Sequence, residues 1–181
     1  MKALKKVLVV AGAIIALLLI AALFLPKDFN VVRSVEISKN KTEVFDYVKL
    51  LKNQDDFSVW MKRDPNVTKT YKGEDGTVGF MSSWESDKED VGHGEQEIVK
   101  IDDGKRIDYA LRFKKPQEME STAYMTTENA GDASTKVSWG FEFSVPYPFN
   151  FFMVFSDMEK ELGPDLQQGL DNMKEILESQ E

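Results

Sequence analysis

The C-terminal stretch, residues 149–177, has a clear helical pattern. Its apolar residues recur every three or four positions, which places them on one face of a helix: Phe151, Phe155, Met158, Leu162, Leu166, Leu170, Met173 and Leu177. A helix with one apolar face needs a matching surface to cover it. Gly163 and Pro164 interrupt the stretch. Because proline is tolerated at the start of a helix but not in its interior, we predict one helix up to Leu162 and a second from Pro164.

Seven earlier stretches have the composition or alternation of β-strands. They are residues 29–38, 67–72, 78–85, 91–101, 105–113, 119–127 and 135–145. Most of the breaks between them are short and rich in turn residues, which predicts an antiparallel meander. A helix over residues 41–51 follows the first strand, with Asn40 and Glu43 as its capping residues. The sheet has one apolar face, and only the C-terminal helix is long enough to cover it.

The N-terminal segment predicts a membrane anchor. Residues 7–25 carry no charge and would span about 28 Å as a helix, close to one bilayer core. A cleaved signal peptide is the alternative, but the apolar run is long for one and no small-residue cleavage site precedes Pro26. Lys2, Lys5 and Lys6 place the N-terminus in the cytoplasm. We therefore expect a single-pass protein with an anchor over residues 1–26 and a domain over residues 27–181 on the extracytoplasmic side, close to the membrane.

Charge and cysteine content exclude several classes of function. The 181 residues include 31 acidic and 23 basic side chains, for a net charge of −8. This balance argues against nucleic-acid binding, which requires a basic surface. The absence of cysteine excludes disulfides and thiolate chemistry but does not fix the compartment.

No arrangement of residues indicates catalysis, a metal or a cofactor. His93 is the single histidine, and one histidine without cysteine cannot build a zinc site. No Gly-x-Ser-x-Gly nucleophile motif occurs either. We therefore predict no catalytic, metal or cofactor residues.

Several short motifs resemble the START-like, SRPBCC superfamily, including its polyketide cyclase/dehydrase and lipid-transfer branch. They are VRSVEI (32–37), TEVF (42–45), FSVW (57–60), VGHGE (91–95), KRIDY (105–109) and TKVSW (135–139). The order of elements resembles that family too, over about residues 29–178. The resemblance implies an α+β helix-grip fold, in which a curved antiparallel sheet of about seven strands wraps around a long C-terminal helix. Family members bind lipids, sterols, polyketides and plant metabolites, and only some are enzymes.

Large apolar side chains on the sheet and the helix form either a filled core or the lining of a cavity, and the resemblance favours the cavity. The predicted lining is Trp84, Tyr109, Phe113, Met125, Trp139, Phe141, Phe143, Phe152, Phe155, Met158 and Leu162. Arg33 lies on the apolar side of its strand, either as a strand-end residue that extends its charge to water or as a polar cavity group.

The predicted function is a membrane-tethered binding module for a hydrophobic small molecule or lipid. One alternative is a cyclase- or hydrolase-type enzyme, whose polar candidates would be Arg33, Tyr109, Tyr124 and His93. Another is a membrane-anchored interaction module with a filled core. The aromatic segment 147–152 has its own two interpretations: packing against the sheet edge, or a patch at the membrane interface. The sequence indicates neither the ligand nor the oligomeric state.

Overall fold

The computed structural model describes residues 2–179, which form two compact units. One unit takes in the chain up to Phe29 together with Ser144–Asp157. The other consists of Asn30–Phe143 and the chain from Met158 onward.

In the first unit, α1 (Lys2–Leu23) is followed by a short connection and the start of the first strand. It is the one helix in the described part of the chain that is long and apolar enough to cross a membrane. A 3-10 helix, Phe149–Phe155, belongs to the same unit. The Asn150 side chain joins the two helices, because its Nδ2 donates to the carbonyl of Ala22 at 2.8 Å.

The larger unit contains a seven-stranded sheet. Its strands are β1 (Asp28–Ile37), β2 (Thr68–Lys72), β3 (Met81–Glu85), β4 (His93–Asp102), β5 (Arg106–Lys115), β6 (Met119–Asn129) and β7 (Thr135–Ser144). Strands β2 to β7 pair with their neighbours in chain order as an antiparallel meander, and β1 lies beside β7. The predicted antiparallel sheet is therefore confirmed.

Short helices connect β1 to β2. They are α2 (Lys41–Lys49), a 3-10 turn (Leu51–Asn53), α3 (Gln54–Phe57) and α4 (Val59–Arg63). The predicted cap of α2 is confirmed, because Oδ1 of Asn40 accepts from the amide N–H of Glu43 at 3.0 Å. Asp75 holds the next turn, since its carboxylate accepts from the amides of Leu51 and Lys52.

The C-terminal helix α5 (Met158–Ser179) covers the apolar face of the sheet. Leu166, Leu170, Met173 and Leu177 are buried on its inner face. Gly169 lets the Trp139 ring approach the helix, because a Cβ at this position would lie 2.8 Å from the ring. The predicted helix-grip arrangement is confirmed.

The predicted break in this helix at Pro164 is wrong, because α5 runs through Pro164. Proline cannot donate to the carbonyl of Lys160, which is four residues earlier. The helix is supported at this point by Arg33, which donates from Nη2 to the carbonyl of Glu159 at 3.2 Å. The Arg33 guanidinium also pairs with the Glu159 carboxylate at 2.6 Å. Local sequence preference is thus overridden by burial of the helix face and by a contact from a distant strand.

Candidate ligand-binding site

The larger unit encloses a cavity of about 400 Å³. Its walls come from the inner face of the sheet, from α3 and α4, and from the first turns of α5. This volume falls in the range of roughly 300–1,000 Å³ that is usual for small-molecule sites.

Strand register explains which side chains form the sheet wall. Lys69, Trp84, Gly94 and Phe113 are successive cross-strand partners on β2 to β5, so they form one row on the inner face. Such partners lie on the same face of the sheet within contact distance. Gly94 leaves room for its neighbour, because a Cβ there would lie 2.5 Å from the Trp84 ring. The Trp84 ring therefore packs over Gly94 and forms part of the wall.

The helical wall is apolar. Met158, Leu162 and Leu166 line the cavity from α5, at the four-residue spacing that places side chains on one helix face. Trp60 lines it from α4 and meets the Trp139 ring edge to face, with centroids 5.8 Å apart. With Trp84, all three tryptophans of the chain line the cavity, so their fluorescence reports directly on it.

The exposed members of the lining mark the mouth. They lie in the connection between β3 and β4 (Glu89 and Asp90), at the end of β5 and the connection after it (Lys115 to Gln117), and at the start of β6 (Met119). Gly92 brings the two connections together, because its φ of +61° lets the backbone turn where a side chain would meet the Lys115 carbonyl. The mouth thus carries charges of both signs around an apolar interior.

One buried amide stands out among the polar lining residues. Gln54 is 7% exposed, and its Nε2 has no hydrogen-bond partner among the described residues. The fully buried Tyr109 hydroxyl is likewise unpartnered within that part of the chain. Burial raises the pKa of Tyr109, and the neighbouring Gln54 amide partly opposes that rise. Gln54 thus lines the cavity and neighbours this hydroxyl, with unused hydrogen-bonding capacity at Nε2.

A second set of polar side chains at the cavity wall contains opposite charges that pair with each other. Lys69 forms an ion pair with Asp55, and the Tyr71 hydroxyl donates to the same carboxylate. Burial and this carboxylate raise the pKa of Tyr71. Lys69 and Asp55 line the cavity as a neutralised pair, which adds polarity to one end of the cavity without adding net charge.

The structure brings together about half of the predicted lining. Six predicted residues line the cavity: Trp84, Phe113, Trp139, Phe141, Met158 and Leu162. Tyr109, Met125 and Phe143 are buried but lie outside that lining. Phe152 and Phe155 also lie outside it, as exposed residues of the other unit.

None of the four polar candidates for an enzyme lines the cavity. Arg33 is engaged with Glu159, as described above. Tyr124 lies on the opposite face of the sheet, where it packs on Gly140 under the Arg106 guanidinium, 3.9 Å from the ring centroid. His93 begins β4, and Tyr109 is fully buried beside Gln54.

The cavity also has polar lining residues that the sequence did not predict. They include Gln54, Asp55, Ser58, Lys69, Ser82 and Gln96. Alternation along β3 could have predicted Ser82, which lies two residues from Trp84 and therefore on the same inner face of the sheet. No pattern predicted Lys69, because β2 has no apolar face that would show which of its side chains point inward. Gln54 and Asp55 begin a four-residue helix that is too short to show a period.

Comparison with known proteins identifies the family. Residues 28–178 match the model of the family described as polyketide cyclase / dehydrase and lipid transport. The chain belongs to this family. The resemblance noted from the sequence motifs is therefore confirmed. No curated protein matches the chain.

Solved structures of the same fold have distant sequences. Norcoclaurine synthase from Thalictrum flavum, as a point mutant with a transition-state analogue, aligns with a TM-score of 0.64 at 12% identity. That alignment covers 84% of this chain and 95% of the other. A protein from Thermobifida fusca aligns at 20% identity with a TM-score of 0.56, over 84% of this chain and 95% of its own. Ara h 8.0201 aligns at 13% identity with a TM-score of 0.53, over 84% and 99%. At these identities the likeness establishes the fold.

Proposed function

We propose that this protein is a membrane-tethered binding module that holds a hydrophobic small molecule or lipid in the cavity between the sheet and α5. The observation that carries the proposal is the cavity itself, with three tryptophans and an aliphatic helix face in its wall. An empty apolar space of this size costs packing energy, which a ligand would restore. The family includes lipid transport in its description.

The tether supports the choice of an apolar ligand. Residues 24–27 alone separate α1 from β1. If α1 spans a bilayer, only a few residues connect the membrane to the binding unit. Apolar molecules concentrate in that membrane. The three lysines that precede the apolar run favour a cytoplasmic N-terminus, and we place the binding unit on the opposite side.

The ligand should combine an apolar body with at least one hydrogen-bonding group. We propose that the Gln54 amide turns when a ligand binds, so that the Tyr109 hydroxyl donates to the amide oxygen and the amide NH₂ faces the cavity. A carboxylate, carbonyl or hydroxyl oxygen of a ligand would accept from it. This arrangement would satisfy two buried groups that have no partner within the described chain.

A cavity-filling substitution tests the proposal. Ala123 lines the cavity on β6, and Ala123→Leu would place three more carbon atoms inside it. The matched control is Ala110→Leu, on the neighbouring strand and the opposite face, where Ala110 pairs with Thr122. Full-length protein in phosphatidylcholine nanodiscs is titrated with cis-parinaric acid, and energy transfer from tryptophan is recorded. Empty nanodiscs give the background from probe in the bilayer.

We expect saturable energy transfer in the wild type and in Ala110→Leu. In Ala123→Leu the affinity should fall by about tenfold or more, which corresponds to about 1.4 kcal/mol. Transfer that never exceeds the empty-nanodisc background, or that is identical in all three proteins, would contradict binding in this cavity.

A further inference from the structure

The smaller unit exposes a group of aromatic side chains that its fold leaves uncovered. Phe149, Phe152 and Phe155 on the 3-10 helix are exposed, with Phe155 at 76%. Phe24, just beyond α1, is 84% exposed. We call these four residues the aromatic collar. The Phe151 ring contacts both Phe152 and Phe155, and exposed apolar groups of this kind mark an interaction surface.

The collar is fixed to the C-terminal end of α1. Asn150, which is 1% exposed, lies between the collar residues on the 3-10 helix. Its Nδ2 lies 2.8 Å from the Ala22 carbonyl, 3.2 Å from that of Leu25 and 3.4 Å from that of Pro26. The amide of Val145 also donates to the Lys27 carbonyl at 2.8 Å. The collar therefore lies at the level where α1 ends.

The length of α1 sets that level in a bilayer. Its uncharged part, residues 7–23, corresponds to about 26 Å, slightly less than a hydrocarbon core of about 30 Å. Only Ala22 is buried within the protein among its described side chains, so the exposed apolar side chains from Val7 onward require an apolar environment. If lipid supplies it, the end of α1 lies at one boundary of the hydrocarbon core.

Composition and hydrogen bonding both suit that boundary. Residues 145–156 contain no charged side chain, whereas acidic and basic residues resume at Asp157. Aromatic side chains concentrate at the interface of bilayers. Carbonyls at a helix end also need partners where water is scarce, and the Asn150 amide supplies donors to three carbonyls there.

We propose that the aromatic collar is a membrane-interface belt that inserts into the headgroup and acyl boundary of the leaflet in which α1 ends. The proposal rests on the membrane-spanning role given to α1 under the proposed function. A lipid surface fits better than a protein partner, because the collar is locked to the end of a helix whose own surface is apolar. The belt would hold the smaller unit at the bilayer surface through the aromatic collar as well as through α1.

Site-directed spin labelling tests the depth of the collar in the full-length protein. The chain contains no cysteine, so single substitutions give uniquely labelled protein. Phe152→Cys and Phe155→Cys report on the collar, Ile14→Cys on the middle of α1, and Ala133→Cys on an exposed turn between β6 and β7 as the control. Each variant carries a nitroxide in phosphatidylcholine nanodiscs, and its collision rates with oxygen and with a water-soluble nickel complex are compared. Near-UV circular dichroism of the tryptophans verifies the fold.

We expect oxygen to dominate over nickel at Ile14, to a smaller extent at Phe152 and Phe155, and nickel to dominate at Ala133. Immersion of the collar labels should be roughly 5–10 Å, the depth typical of interfacial segments. Nickel-dominated collisions at the collar with a buried label at Ile14 would overturn the belt while leaving the tether intact. Nickel-dominated collisions at Ile14 would overturn both. Collar labels shielded from both reagents, with spin–spin broadening that disappears on dilution with unlabelled protein, would instead indicate a second copy and also overturn the belt.

Discussion

Gln54 lies at the wall of the cavity, and its buried Nε2 has no hydrogen-bond partner in the described chain. An unsatisfied buried donor destabilises a fold by roughly 1–3 kcal/mol relative to an apolar group of the same shape. This loss of stability is explained if the Gln54 amide donates a hydrogen bond to a bound molecule. The effects of its removal on stability and on binding should then have opposite signs.

We expect Gln54→Leu to raise the free energy of unfolding by about 1 kcal/mol and to weaken binding of cis-parinaric acid about tenfold. Binding of diphenylhexatriene, a hydrocarbon without a hydrogen-bonding group, should change little. Urea unfolding followed by tryptophan fluorescence measures the first effect, and titration with both probes measures the second.

The control for this substitution is Gln168→Leu, on the outer side of α5, where Gln168 bonds to Asn172. It should leave both probes unaffected. Equal weakening of both probes in Gln54→Leu would show that Gln54 shapes the cavity instead of recognising a polar group.

Glu178 joins the end of α5 to the end of β1. One carboxylate oxygen accepts from Lys174 Nζ at 2.7 Å and from the Ser38 amide at 2.7 Å. The Lys174 ammonium and then the Ser38 N–H hold the pKa of Glu178 below its ordinary value of 4.5. A carboxyl whose pKa is lowered by folding stabilises the fold above its unfolded pKa, and this contribution is lost as the pH falls through the folded pKa.

We therefore expect Glu178→Gln, which keeps an acceptor oxygen but removes the charge, to lower the free energy of unfolding at pH 7. The difference from the wild type should shrink as the pH falls below 4.5, because Glu178 becomes protonated. Urea unfolding at a series of pH values measures this. Glu175→Gln, an exposed position on the same helix, is the matched control, and a gap between Glu178→Gln and the wild type that persists at low pH would contradict the explanation.

At the scale of elements, α5 shows how far a local rule holds. The apolar period correctly predicted which face is buried, since Leu166, Leu170, Met173 and Leu177 are all in the core. The same sequence suggested a break at Pro164 that the helix does not have. Periodicity succeeded because it reflects the side chains that must leave water. The break was wrong because the chain between Met158 and Leu166 is held against the sheet and Arg33 by contacts distant in sequence.

We expect Pro164→Ala to raise the free energy of unfolding by about 2 kcal/mol. Restoring a helix-interior residue should gain about 3 kcal/mol, and the greater freedom of the unfolded chain should remove up to about 1 kcal/mol. Pro65→Ala, in the loop before β2, should instead destabilise slightly. Unfolding curves of the two variants give the comparison, and a loss of stability in Pro164→Ala would show that the proline matches a required backbone shape.

At the scale of the whole molecule, an occupied cavity should stabilise the larger unit. A ligand present at 100 times its dissociation constant adds about 2.7 kcal/mol to the stability of the state that binds it. For a domain of this size we expect the melting temperature to rise by about 5–10 °C. The three tryptophans that line the cavity make fluorescence-detected melting specific to this unit.

The same melting experiment on Ala123→Leu separates binding in the cavity from partitioning into lipid. Ala123→Leu should lose most of the ligand-induced rise in melting temperature, whereas Ala110→Leu should retain it. An equal rise in melting temperature in both variants would show that the ligand binds outside the cavity.

The sequence alone determined the strands, the apolar face of α5, the apolar N-terminal segment and the family motifs. These features follow from local periodicity and composition, because side chains three or four residues apart on a helix, or two apart on a strand, share one environment. Tertiary structure decided which apolar residues enclose a void. Trp84 and Tyr109 both lie on the inner face of the sheet, yet only Trp84 lines the cavity. A cavity is the space that side chains from distant elements leave unfilled, so it depends on strand register and on the position of α5 across the sheet. The exposed position of Phe152 and Phe155 and the polar lining around Gln54 were decided by the same non-local packing.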